Sequence, residues 1–93
     1  MKTRLEIIHL RLTGKRPPGL VTQIQNSIGN QARSVKIRIY DHISVTTDLG
    51  VHIHFDTHLS EPRYTELGIR LASALREYGM VEHTIWLEME ELD

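Results

Sequence analysis

From Arg4 to Leu12 apolar side chains fall on both parities, Leu5 and Ile7 on one side and Ile8, Leu10 and Leu12 on the other, as in an interior strand. Thr13-Gly14-Lys15-Arg16-Pro17-Pro18-Gly19 cannot extend a ladder, because proline has no amide to donate. Leu20, Val21, Ile24 and Ile28 then share one helical face, and Gly29 or Asn30 is expected to end that helix. From Ser34 the period becomes two, with Val35, Ile37 and Ile39 inward and Lys36, Arg38, Tyr40 and His42 outward. Thr46-Thr47-Asp48-Leu49-Gly50 has turn chemistry, and the alternation resumes with Val51, Ile53 and Phe55 inward and His52, His54 and Asp56 outward, which predicts a hairpin. Ser60 is the predicted cap of a second helix with Pro62 in its first turn; Tyr64, Leu67, Gly68, Leu71, Ala74, Leu75 and Tyr78 form its stripe and Gly79 its end. Val81 to Glu90 alternates again, with His83, Ile85, Leu87 and Met89 opposite Glu82, Thr84, Trp86 and Glu88.

The order strand, helix, strand, strand, helix, strand resembles the split βαβ of ferredoxin-like folds. The expected architecture is an α+β sandwich over residues 1–93 as one domain, a four-stranded antiparallel sheet in the order 4-1-3-2 with both helices on one face. The uncovered face then carries Leu5, Ile7, His9 and Arg11 from the first strand, Tyr40 from the second, His52, His54 and Asp56 from the third and Trp86 from the fourth. A face that mixes aromatic, aliphatic and imidazole groups suits burial against a second copy, and a homodimer through it is expected.

Composition narrows the classes. With 40% apolar and 25% charged residues the chain is an ordinary globular one. The absence of cysteine excludes a disulfide framework, a thiol nucleophile and a cysteine-held cluster. No apolar run reaches the roughly 18 residues of a membrane span, so a cytoplasmic protein without membrane partners is expected. Residues 1–47 hold eight basic residues against two acidic, and residues 48–93 three against ten. Such polarity steers the packing of halves or of copies rather than recruiting nucleic acid, which is not expected as a partner. Lys36 and Arg38 mark one sheet edge and Glu82, Glu88 and Glu90 the other, so unlike edges of two copies are complementary.

His52-Ile53-His54-Phe55-Asp56-Thr57-His58 is the densest chemical cluster, since alternate strand residues share a face at about 6.6 Å spacing and His9 stands on the neighbouring strand. It resembles the His-x-His-x-Asp-His run of metallo-β-lactamase-like hydrolases, but a residue intervenes between Asp56 and His58 and that fold needs a far longer chain. Neither metal nor cofactor is therefore expected. His9, His52 and His54 are the group from which acid–base chemistry could be drawn; His42 and His83 have no evident partner. No nucleophile elbow, Walker loop or dinucleotide fingerprint occurs. An RNA-recognition domain shares the element order, yet its sheet aromatics are missing and the open face would present Asp56 and Glu88 to phosphates.

Two further resemblances bear on function. Pro18-Gly19-Leu20 with Ile24, entering a first helix, resembles the signature of ACT regulatory domains, which implies effector contacts at Gly19 and Leu20; Pro17 replaces that family's usual acid. In length, open face and a fourth strand with Trp86, the whole chain is similar to the dimeric α+β barrels that include small cofactor-independent monooxygenases, although no catalytic spacing of that group is matched. The ligand-binding candidates are His9, His52, His54, Tyr40, Trp86, Gly19 and Leu20. The reading is a homodimeric small-molecule-binding or interaction module, with a small oxygenase or isomerase-like enzyme using an intersubunit, histidine-lined cavity as the alternative.

Overall fold

The computed structural model describes residues 2–29, 35–57, 63–90 and 92. Six elements follow one another: β1 (Lys2–Leu12), α1 (Leu20–Ile28), β2 (Lys36–Asp41), β3 (Asp48–Thr57), α2 (Glu66–Leu75) and β4 (Gly79–Leu87). The strands form one sheet in the order β2-β3-β1-β4, every neighbouring pair antiparallel. This is the ferredoxin-like α+β arrangement, and β1 is interior as its two-sided pattern requires.

One parity of each strand faces the helices. Ile8, Leu10 and Leu12 of β1 and Leu49, Val51 and Ile53 of β3 pack with Leu20, Ile24 and Ile28 of α1 and Leu67, Leu71, Ala72 and Leu75 of α2 in one buried cluster. Gly19 sits in the left-handed region at φ 78° before α1, and Gly29, also at positive φ, ends it. Tyr78 donates its hydroxyl to Gln23 Oε1 at 2.9 Å and so ties the end of α2 to α1.

Several boundaries differ from the sequence expectation; the last strand, expected to run to Glu90, stops at Leu87, which leaves Glu88 and Glu90 beyond the edge they were expected to mark and only Glu82 on it. The cap of α2 is Thr65, whose hydroxyl accepts from Gly68 N at 2.9 Å; Ser60 and Pro62 lie outside the described residues. Gly79 opens β4 instead of ending α2, since a Cβ there would run into the Arg11 carbonyl where β4 closes on β1. Asp48, Leu49 and Gly50, expected in a turn, already belong to β3: Leu49 is buried, and Asp48 and Gly50 pair with Arg11 and His9. The turn is held instead by His42, whose Nδ1 accepts from Ser44 N and Val45 N at 3.1 and 2.9 Å, so His42 has partners after all.

Candidate functional site

The sheet face away from the helices carries the residues that parity assigned to it. Register sets Leu5 opposite His54 and Trp86, Ile7 opposite His52 and Thr84, and His9 opposite Gly50 and Glu82. On the β2 side Lys36 faces His54, Arg38 faces His52 and Tyr40 faces Gly50. Trp86 is 59% exposed and donates Nε1–H to Thr84 Oγ1 at 3.0 Å, while Leu5 and Ile7 are half-buried between their neighbours.

Gly50 is the pivot of this face. It brings no side chain to its register position, and a hollow of about 210 Å³ opens there, rimmed by Ile7, His9, Tyr40, Asp48 and His52. Tyr40 and His52 pack tilted with ring centroids 4.5 Å apart. His52 and His54 are spaced at 6.4 Å and do not share a ligand point with His9, which turns to Asp48 instead. Among the described residues no three histidine or carboxylate groups converge on a metal position; His58 lies outside them.

His9 Nε2 and Asp48 Oδ2 are 2.8 Å apart. The carboxylate can only accept, so Nε2 carries the proton, while Nδ1 lies 3.8 Å from Glu82 Oε2 on the β4 side. Hydrogen bonds to Asp48 from His9 first, and also from Arg11 and Thr47, hold its carboxyl below the usual aspartate value against a desolvation that pushes the other way. Asp48 was missed at the sequence level because Thr-Thr-Asp reads as turn chemistry; counting parity back from His52 through Gly50 puts it on the open face. Burial first, and then the neighbouring charge of His54, lowers the pKa of His52 below the ordinary imidazole value.

A second polar cluster lies on the helix side of the sheet, where none was expected. Glu6 has no exposed surface. Its Oε1 accepts from Thr65 N and Thr65 Oγ1 at 3.1 and 2.8 Å, and its Oε2 from His83 Nε2 at 2.5 Å, so His83 too has a partner. Tyr64 covers the His83 ring at 3.8 Å between centroids and donates its hydroxyl to the His83 carbonyl at 2.9 Å. A groove between α1 and β2 is lined by Val21, Ile28, Ile37 and Ile39 with the polar Gln25 and Asp41, and Asp41 is engaged by Arg16 at 2.6 Å. The open face therefore carries the accessible chemistry.

Of the two residues implied by the ACT resemblance, Leu20 is buried in the core and Gly19 shapes the entry to α1. No family model and no curated protein matches the chain. Among solved structures it is similar to a Bordetella bronchiseptica protein provisionally described as an antibiotic biosynthesis monooxygenase, with a TM-score of 0.56 and 13% identity over 99% of this chain and 100% of that one. The likeness is one of fold. It favours the α+β barrel resemblance over the ACT one and brings no residue with it, because at that identity only the backbone course is shared.

Proposed function

We propose that the chain acts as a homodimer through its open sheet face, each copy closing the hollow around Gly50 into a small-molecule site. The observation that carries this reading is the hollow itself, set in a face that also exposes Tyr40 and Trp86 beside half-buried Leu5 and Ile7. Apolar side chains bordering a few convergent polar groups are the composition of both subunit contacts and ligand pockets. The architecture of the Bordetella protein supports the same reading.

One observation favours an enzyme as the second reading. The Asp48–His9 pair orients an imidazole at the rim of the hollow, its other nitrogen 3.8 Å from the exposed Glu82 carboxylate, the arrangement by which a carboxylate sets a histidine for proton transfer. An oxygenase- or isomerase-like activity would use His9 for the proton and His52 or Tyr40 to position the substrate. Native mass spectrometry of the untagged protein and of Trp86→Ala tests the primary reading. A dimer weakened by about 2 kcal/mol or more in the variant is expected, as for loss of a central aromatic anchor; a wild-type monomer, or a dimer indifferent to the substitution, overturns it.

A further inference from the structure

Charge on the open face is unevenly satisfied. Arg11 and Arg16 are neutralised within the chain, by Asp48 and Asp41. Lys36 and Arg38 have no carboxylate within ion-pair distance among the described residues. Register places these two cations directly opposite His54 and His52, so four nitrogen-bearing side chains form a two-by-two block with Cβ atoms about 5 Å apart across the strands.

A groove of about 530 Å³ borders three of these four residues, Lys36, Arg38 and His54, together with Thr3, Val35, Phe55 and Asp56, while His52 borders the adjoining hollow around Gly50. Asp56 is the acid at its border, and Thr3 Oγ1 donates to it at 2.9 Å. Inside the block His54 Nε2 is buried without a hydrogen-bond partner, a state that folded proteins seldom leave unresolved. Two fixed cations repel a metal ion, whereas an oxyanion would meet both charges.

We propose that Lys36, Arg38, His52 and His54 bind a small oxyanion, a carboxylate or phosphate-type group, with the first two supplying charge and the imidazoles N–H donors. This names the ligand class of the open face and rests on the reading of that face as ligand-bearing. Burial and the charge of His54 disfavour the protonated form of His52. An anion at the block reverses that balance, so its affinity rises as pH falls through the imidazole range. The groups facing His52 are Arg38 and Tyr40 from β2, His54 and, across the hollow, Asp48 on its own strand, and His9 from β1; of these Arg38 is the fixed positive charge and Asp48 the negative one.

The test is titration with sulfate, whose charge is constant between about pH 6 and pH 8, and with malonate, each at fixed ionic strength and followed by the imidazole C–H NMR signals. Saturable shifts of His52 and His54 but not of His42 are expected, tighter at the lower pH. Arg38→Gln should weaken binding about tenfold or more, as for a lost charge-assisted hydrogen bond, and Lys15→Gln should leave it unchanged. Shifts that merely track ionic strength, or an unchanged affinity in Arg38→Gln, overturn the proposal. Native mass spectrometry of the same samples separates the two readings. A dimer lost in Arg38→Gln with sulfate affinity unmoved makes the block a contact for the acidic edge of a second copy and removes the anion site. A monomer that still binds sulfate in the predicted way supports the anion site and overturns the subunit reading alone.

Discussion

Glu6 persists inside the core because three donors converge on its two oxygens and because Gly68 leaves room for them. A Cβ built at Gly68 falls within the Glu6 carboxylate, so the helix can approach only as glycine. Glu6→Ala should cost about 3 to 5 kcal/mol, since it strands His83 beside a cavity, and Gly68→Ala about 1 to 3 kcal/mol by overpacking. Denaturant unfolding of the double variant should show the two losses to be far from additive, because the alanine at 68 occupies space that the carboxylate has vacated. On the open face the signs of pH dependence follow from the shifts. His52 is held below the ordinary imidazole value, so the folded state binds fewer protons there than the unfolded one; its contribution is complete above about pH 6.5 and declines as pH falls below that value. Asp48, also lowered, contributes above the usual aspartate range and is lost as pH falls through its folded value. Melting temperatures followed from neutral to acid pH should therefore fall in two stages, with His52→Gln flattening the first and Asp48→Asn the second.

At the scale of elements, the cap of α2 does two jobs. Thr65 accepts from Gly68 N and donates twice to Glu6, so Thr65→Ala should destabilise by about 2 kcal/mol, above the ~1 kcal/mol of an ordinary cap, while Thr65→Ser recovers most of it in a thermal melt. The same elements show what was legible in the sequence. Strand period exposed the two faces of β1, β2, β3 and β4, and with them the sharing of one face by His9, Tyr40, His52, His54 and Trp86, because alternation is a local property that burial enforces. The partner of His83 was not legible: Glu6 and His83 lie on different strands, and only the β1–β4 register together with the close approach of α2 brings them together. Asp48 was hidden for a neighbouring reason, since a polar triplet spells a turn unless the residues across the sheet are known to receive it. The chain's glycines show the same ambiguity. Gly29 stops a helix, whereas Gly79 makes space for a neighbouring backbone, and both look alike in one dimension.

For the molecule as a whole, the sheet order places the basic strand β2 and the acid-bearing β4 at opposite edges, with an uncovered apolar and imidazole field between them. Among the described residues no helix is long and apolar enough to cross a membrane. The occupant proposed for that field is a second subunit. Leu5→Glu, placing a charge between His54 and Trp86 in the middle of it, should shift the subunit equilibrium toward monomer in sedimentation experiments while leaving the melting temperature of the isolated chain nearly unchanged, because Leu5 lies on the face away from the core. The Glu6 pocket has a different reach, into the history of the sequence. Position 68 admits a side chain only if position 6 surrenders its carboxylate, and an imidazole at position 83 has no reason to turn inward once that carboxylate is gone. Descendants of this chain should then inherit the three positions as a single character, so that a lineage in which glycine drifts to alanine at 68 also shows a neutral residue at 6 and the loss of histidine at 83.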